Sequence, residues 1–118
     1  MYFYAKDYTS AEPMLTTMSQ KYPQEPSSFY WLGRNTVNLK DKDYNNGAAT
    51  AYFNTWLGMV NDDVTKKNDL IKAYTYLAMV AYNQKNKVDA EKYSDKILQF
   101  DAADKTALDI KKALPSIK

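Results

Sequence analysis

Apolar residues recur along this chain at the spacing of an α-helix, and short polar stretches separate the apolar segments. One segment places apolar residues at i, i+3, i+4 and i+7, namely Tyr74, Leu77, Ala78 and Ala81. Residues 83–87 are polar, and the spacing then resumes at Ala90, Tyr93 and Ile97. The chain contains only three Gly and four Pro, and its hydrophobic period is helical rather than alternating. This pattern predicts an all-α fold.

An earlier part of the chain repeats the same arrangement of two helices. The first helix of this pair carries Phe29, Leu32, Gly33 and Thr36, and the second carries Ala49, Tyr52, Phe53 and Trp56. Short polar connections between amphipathic helices favour antiparallel neighbours. The sequence therefore predicts helix-turn-helix pairs.

Residue type and spacing in these pairs resemble the tetratricopeptide repeat (TPR), whose unit reads W-x2-L-G-x2-Y, then A-x3-F, then P. Phe29-x2-Leu32-Gly33 matches the opening of the unit, and Ala49-x3-Phe53 matches its second helix. Further matches are Tyr74-x2-Leu77-Ala78 with Ala90, and Ala11-x3-Leu15 with Pro23. The resemblance implies antiparallel helix-turn-helix repeats stacked as a right-handed α-solenoid. The small residues are expected where the two helices of one repeat cross closely.

The spacing divides the chain into repeats of unequal length within one predicted domain, 1–118. We expect a partial repeat at 1–25, a repeat with an inserted turn at 26–64, a repeat at 65–103 and a capping helix at 104–118. Leu32 and Ala49 are 17 positions apart, whereas Leu77 and Ala90 are 13 apart, which locates the insertion near Asn46-Gly47, a turn signal. Lengthened repeats of this kind resemble those near the C-terminus of larger bacterial TPR proteins, several of which are exported. The sequence does not predict the cellular compartment of this chain.

The predicted helix ends rest on capping residues. Thr9 or Ser10 is expected to begin the second helix of the partial repeat, with Pro13 in its first turn. Asp63 or Thr65 is expected to cap the first helix of the last repeat. Asp104 is expected to cap a final helix, in which Leu108 and Leu114 face inward and which Pro115 ends. Because only residues 1–6 remain for the first helix of the partial repeat, we expect a C-terminal fragment of a longer protein.

Composition excludes several classes of function. The chain has no Cys and no His, so Cys-type zinc sites, thiol nucleophiles and imidazole bases are absent, and no catalytic site or cofactor is expected. A net charge of +2 with locally mixed signs does not favour nucleic acid, and no apolar run is long enough for membrane insertion. Asp41-x-Asp43-x-Asn45 resembles the start of a calcium loop, but Asn46 and Tyr52 replace its Gly and Glu, so no metal site is expected.

In TPR proteins the first helix of each repeat lines the concave surface, which suggests a peptide-binding groove. The corresponding positions here are Tyr30, Trp31, Arg34 and Asn38 in one repeat and Lys72, Tyr76, Met79 and Asn83 in the next. Aromatic rings with amide and guanidinium groups suit a peptide. The alternative is that the eleven tyrosines of the chain simply pack between helices. The clamp that holds acidic chaperone tails in other TPR domains is not reproduced, since its slots carry Tyr30, Arg34 and Thr75.

The sequence thus predicts a non-catalytic scaffold that binds a protein or peptide. Two alternatives stay open: a structural or spacer segment of a larger protein whose activity lies N-terminal of this chain, and an accessory domain of an enzyme or sensor. We also expect a homodimer through the truncated first repeat, because Tyr2, Phe3, Tyr4, Met14 and Met18 lack part of their packing there.

Overall fold

The computed structural model describes residues 8–41, 44, 46–61 and 63–116. These residues form six α-helices, two short 3₁₀ helices and no strand, which confirms the all-α prediction. The α-helices are α1 (Tyr8–Lys21), α2 (Pro26–Lys40), α3 (Thr50–Val60), α4 (Lys67–Asn83), α5 (Lys87–Phe100) and α6 (Lys105–Ala113). The 3₁₀ helices are Val64–Lys66, before α4, and Leu114–Ser116, after α6.

The helices form two compact units. The first contains α1, α2 and α3, and the second contains α4, α5 and α6 together with the loop segment Tyr44–Gly47. Each helix pair predicted from the sequence lies within a single unit, α2 with α3 and α4 with α5.

In the first unit α2 packs against both α1 and α3. Leu15 of α1 and Leu32 of α2 form a buried pair, against which the half-buried rings of Trp31 and Tyr52 pack. Gly33 of α2 lies so close to Phe53 of α3 that a Cβ atom at position 33 would be 2.8 Å from the ring. The expectation that a small residue at this position permits the helix crossing is confirmed.

Three buried aromatic rings complete the contact between α2 and α3. The Tyr30 ring lies edge-on to Phe53, with centroids 6.2 Å apart, and tilted against Trp56 at 4.8 Å. Such offset contacts are favourable beyond the apolar area that they bury. The interior of the first unit is therefore aromatic on the α3 side of α2.

In the second unit α4 packs on α5, and α6 packs on both. Ala78 of α4 and Ala90 of α5 are completely buried, as expected for the small-residue positions of a close crossing. Tyr74 stacks on Tyr93 and on Phe100, with ring centroids 6.1 and 6.4 Å apart. The interior of the second unit therefore combines a close crossing of small residues with stacked aromatic rings.

The turn from α4 to α5 is closed by backbone hydrogen bonds. The N–H of Asn86 donates to the Ala81 carbonyl at 2.8 Å, and the N–H of Lys85 donates to the Tyr82 carbonyl at 3.0 Å. Lys85 has a positive φ of 61°, so the helix ends in a Schellman motif with lysine at its left-handed position. Asn86 then caps α5 by accepting a hydrogen bond from the Asp89 N–H.

Several predicted helix ends agree with the structure. Asp104 caps α6, accepting a hydrogen bond from the Ala107 N–H at 2.9 Å. Asp63 caps the 3₁₀ helix that leads into α4, accepting from the Thr65 N–H at 3.0 Å. Gly47 has a φ of 74°, a left-handed conformation that glycine adopts readily, and the turn residues that follow it are 48 and 49.

Two local predictions were wrong. The helix α1 begins at Tyr8, so Thr9 and Ser10 lie inside it and Pro13 is in its second turn rather than its first. A proline there removes one backbone hydrogen bond, and the helix continues on both sides of it. Leu108 is 44% exposed instead of facing inward. The buried residues of the final helical segment are Ala107, Ile110 and Leu114, at i, i+3 and i+7.

Some predictions concern residues outside those that the structure describes. They are the remnant of a first helix at residues 1–6, with Tyr2, Phe3 and Tyr4, and the calcium-like positions Asp43 and Asn45. Asp41, the first residue of that calcium-like pattern, is buried at the C-terminus of α2, and its N–H donates to the Val37 carbonyl.

Candidate functional site

The four predicted site residues of α2 divide into one that is buried and three that are accessible. Tyr30 is only 2% exposed, so the prediction that it contacts a ligand from the surface was wrong. Its ring lies edge-on to Trp31, with centroids 5.2 Å apart, and against the rings of Phe53 and Trp56 from α3. Position 30 lies on the side of α2 that faces α3, so the Tyr30 ring is buried between the two helices.

Arg34 and Trp31 form a small half-buried surface. The Arg34 guanidinium carbon lies 5.2 Å from the centroid of the Trp31 ring and 5.8 Å from that of Tyr30. These distances are within the range of cation–π attraction, so the two rings hold the guanidinium in place. The guanidinium carries five N–H donors, and it can offer donors to a partner from this surface.

The Asn38 side chain forms a hydrogen bond within its own helix. Its side-chain amide donates to the Arg34 carbonyl at 2.9 Å, a bond between residues one turn apart. This bond orients the side chain, and the amide oxygen of Asn38 is then the atom that it offers to a partner.

On α4, Tyr76 is buried and Asn83 is engaged by the loop segment. Tyr76 is 3% exposed, which contradicts its predicted place on a binding surface. The Tyr44 ring lies edge-on to it, with centroids 5.5 Å apart. The Asn83 amide donates to the Tyr44 carbonyl at 3.0 Å. The sequence alone did not show that the inserted residues fold back over this part of α4.

The remaining predicted residues of α4 are Lys72 and Met79. Lys72 is exposed and Met79 is half-buried. Met79 lies in an open groove of about 410 Å³ between α4 and α6. The residues that line this groove are Met79, Tyr82, Thr106, Asp109, Ile110 and Ala113.

The lining of the groove combines an apolar floor with three polar side chains. Met79, Ile110 and Ala113 supply the apolar part, and Met adapts its shape to different contacts. Tyr82, Thr106 and Asp109 supply a phenol, a hydroxyl and a carboxylate. Apolar grooves with a few convergent polar groups are typical of ligand sites.

Five of the six groove residues were missed by the sequence prediction. On α6 the residues 106, 109, 110 and 113 recur at i, i+3, i+4 and i+7, which was the available signal. The final helix was interpreted only as a cap, and a periodic stripe does not show whether its neighbour covers it completely.

Comparison with known proteins agrees with this architecture. No family model matches the chain, and no curated protein does. The crystal structure of the C-terminal part of a TPR repeat-containing protein from Cytophaga hutchinsonii superposes with a TM-score of 0.81 and 25% sequence identity. The match covers 92% of this chain and 42% of that one. The chain has a TPR-type helical-repeat fold.

In this TPR-type chain a lysine on α6, the helix that forms one side of the groove, is paired with a carboxylate on α5. Lys111 of α6 donates a hydrogen bond to the carboxylate of Asp95 on α5. That bond, together with the negative charges of Asp95 and Glu91, raises the pKa of the Lys111 ammonium above its usual range. Lys111 is therefore paired with α5.

The described part of this TPR-type chain offers neither a membrane span nor a metal cluster. Across residues 8–41, 44, 46–61 and 63–116, no helix is both long and apolar enough to cross a bilayer. In the same ranges, no three His, Cys, Asp or Glu side chains come together in a way that would hold a metal ion.

Proposed function

We propose that this TPR-type chain is a non-catalytic scaffold that binds a peptide or an extended protein segment, with an accessible surface on α2 in the first unit and the groove between α4 and α6 in the second. The observation that carries the proposal is the groove lined by Met79 and Ile110, which offers apolar surface beside unengaged polar groups. Protein binding sites characteristically combine an apolar centre with a polar rim. TPR-type folds are typically non-catalytic, which agrees with the absence of Cys and His from the sequence.

We assign fewer residues to peptide binding than the sequence suggested, because two of the predicted side chains are buried. Tyr30 and Tyr76 support the helices from inside, because both are buried. Trp31, Arg34 and Asn38 form one accessible surface on α2, and Lys72, Met79 and Asn83 form another on α4. The groove residues of α6 extend the second surface.

A displayed library of random peptides, screened against the intact chain, tests the proposal. We expect wild-type protein to select peptides with dissociation constants on the order of micromolar. Met79→Glu places a charge on the apolar floor and should abolish binding of the peptides that the groove selects. Arg34→Ala tests the α2 surface separately and should weaken binding of the peptides that this surface selects.

Val88→Glu is the matched control for Met79→Glu. Val88 is 77% exposed in the first turn of α5 and is absent from the groove lining, and an acidic residue is tolerated at a helix N-terminus. If the library yields no binder, or if the selected peptides bind the Met79→Glu protein as well as the wild type, the scaffold proposal is wrong. That result would favour the alternative of a structural or spacer segment, or of an accessory domain whose activity lies elsewhere.

We also propose that copies of this chain associate through α1. Met14 and Met18 lie one turn apart on α1 and are 42% and 36% exposed, so they form a small apolar surface. Light scattering over a range of concentrations should show a mass that rises toward the dimer.

Replacing both methionines by lysine should keep the chain monomeric. Leu108→Lys is the control, because Leu108 is comparably exposed on α6, outside α1. A wild-type chain that stays monomeric at every concentration would rule out this association.

A further inference from the structure

We propose that the groove between α4 and α6 is a subsite for an arginine side chain of the bound peptide. This inference rests on the proposed peptide-binding function and specifies what one part of the surface selects. Three features of the groove support it: the apolar floor, an unengaged carboxylate, and the polar groups beside that carboxylate.

The floor suits the aliphatic part of a long cationic side chain. Met79, Ile110 and Ala113 present hydrocarbon and thioether surface in a groove of about 410 Å³. Arginine and lysine lay their methylene stems along such surface while the charged end stays in water. The open side of the groove allows this, since the ligand is not enclosed.

Asp109 supplies the complementary charge. It is exposed in the groove lining, and no residue in the described part of the chain forms a hydrogen bond or an ion pair with it. Lys111 does not neutralise this carboxylate, because it donates to Asp95.

Two other lysines lie within four residues of Asp109 on its own helix. Lys105 precedes it by four residues and Lys112 follows it by three, and neither pairs with it in the structure. Lysine four residues before an acidic residue is the weaker of the two helix orientations, so Lys105 is a poor competitor. The Asp109 carboxylate therefore remains available to a cation from outside.

The neighbouring polar groups favour guanidinium over ammonium. A guanidinium presents five N–H donors in a planar fork that matches a carboxylate bidentately, and its remaining donors point to the sides. Thr106 and Tyr82 line the same groove, and each carries a hydroxyl that is able to accept such a donor. The Tyr82 ring adds a face for cation–π attraction. An acidic ligand side chain would instead meet the negative charge of Asp109.

Chemical-shift titration of the 15N-labelled intact chain tests the proposal with three small probes. The probes are the Nα-acetyl N-methylamides of arginine, lysine and norleucine, which share a backbone and differ in the side-chain end. Such small probes are expected to bind with dissociation constants on the order of millimolar. The amides of Met79, Tyr82, Thr106 and Asp109 should shift. Arginine should bind about three- to fivefold more tightly than norleucine, as for an exposed ion pair, and lysine should lie between them.

The substitution Asp109→Asn removes the charge and keeps the shape, so arginine should then bind no better than norleucine. Glu91→Gln is the control, because it removes the same charge from an exposed site on α5 outside the groove. Raising the salt concentration should reduce the arginine preference of the wild-type chain.

Equal binding of the three probes would overturn the arginine subsite and leave the groove as a general apolar site, with the proposed function intact. An arginine preference that survives Asp109→Asn would also overturn the assignment of Asp109. Absence of any shift in the groove would overturn the subsite, and the peptide library would then decide the proposed function separately.

Discussion

A Cβ atom built on Gly33 of α2 would lie 2.8 Å from Cε1 of Phe53 in α3, closer than carbon atoms approach without displacement. Phe53 is buried, and its ring is held edge-on to that of Tyr30. The distance between α2 and α3 at this crossing therefore depends on the missing side chain at position 33.

We expect Gly33→Ala to destabilise the protein. Alanine favours a helix over glycine by about 1 kcal/mol. Overpacking a well-filled interior costs about 1–3 kcal/mol, and we expect this cost to exceed the helix gain because Phe53 has little room to move. The net loss should be about 1 kcal/mol in the free energy of unfolding, measured by urea denaturation.

Gly58→Ala is the matched control, because Gly58 is also helical and no heavy atom lies within 4 Å of its ideal Cβ position. This substitution should stabilise the protein by about 0.5–1 kcal/mol. If the two substitutions stabilise equally, the Phe53 ring yields and the close-approach argument is wrong.

Asn35→Leu is expected to increase stability. Asn35 is 0% exposed in α2, and neither atom of its amide has a hydrogen-bond partner in the described chain. A buried polar group without a partner costs about 1–3 kcal/mol, and leucine has a similar size. Thermal unfolding should show the gain. Asn54→Leu is the control, because Asn54 is exposed on α3 and the same substitution there changes only the helix propensity. A comparable rise in the unfolding midpoint for Asn54→Leu would contradict the prediction.

Replacing Asp104 and replacing Asp109 should have different effects on the free energy of unfolding. Asp104 accepts a hydrogen bond from the Ala107 N–H as the N-cap of α6, so Asp104→Ala should cost about 1 kcal/mol of stability. Asp109→Ala should change the stability by less than about 0.5 kcal/mol, since Asp109 is exposed in mid-helix. Urea denaturation of both variants checks this. A large effect at position 109 would show that Asp109 is structural and would weaken its assignment to ligand binding.

The end of α4 offers a stabilising substitution. Lys85 has a φ of 61°, a conformation that costs a residue with a side chain about 1 kcal/mol and glycine much less. Lys85→Gly should therefore raise the midpoint of thermal unfolding. Glu91→Gly, in the interior of α5, should lower it, because glycine weakens a regular helix. A lower midpoint for both variants would contradict a strained turn at Lys85.

Asp63 should titrate below its ordinary pKa. The Thr65 N–H and then the Thr65 hydroxyl donate hydrogen bonds to its carboxylate, and Lys66 adds positive charge, so its pKa lies below 3.8. Because the pKa is lower in the folded chain than in the unfolded one, the stabilisation is present at neutral pH. It is lost as the pH falls through the folded-state pKa.

An NMR titration of the Thr65 amide resonance measures this pKa. Thr65→Ala keeps the backbone donor and removes the hydroxyl, so the midpoint should move upward. A wild-type midpoint at or above 3.8 would contradict the prediction.

The sequence predicted those features that depend on residues near one another in the chain. The helix pairs followed from spacing, and the caps at Asp63 and Asp104 followed from side chains that bond to backbone groups two or three residues away. The close approach at Gly33 also followed, because two paired helices can cross closely only where one of them carries a small residue.

The sequence did not predict which aromatic residues are buried. Tyr30 and Tyr76 fit the spacing of an accessible surface as well as Arg34 and Met79 do, because an amphipathic pattern does not distinguish a ring that meets a ligand from a ring that meets another helix. Their burial depends on Phe53 and Trp56 in one case and on Tyr44 in the other.

By itself, then, the sequence determined the helical repeat, its pairing and the caps at Asp63 and Asp104, because these depend on local periodicity and capping. Only the tertiary structure decided which faces stay open. The groove beside Met79 exists because α6 packs against α4 without covering all of it, and Leu108 is exposed because Ala107, Ile110 and Leu114 take the buried side. The openness of a surface depends on the neighbours of each residue in space, and spacing along the chain does not contain that information.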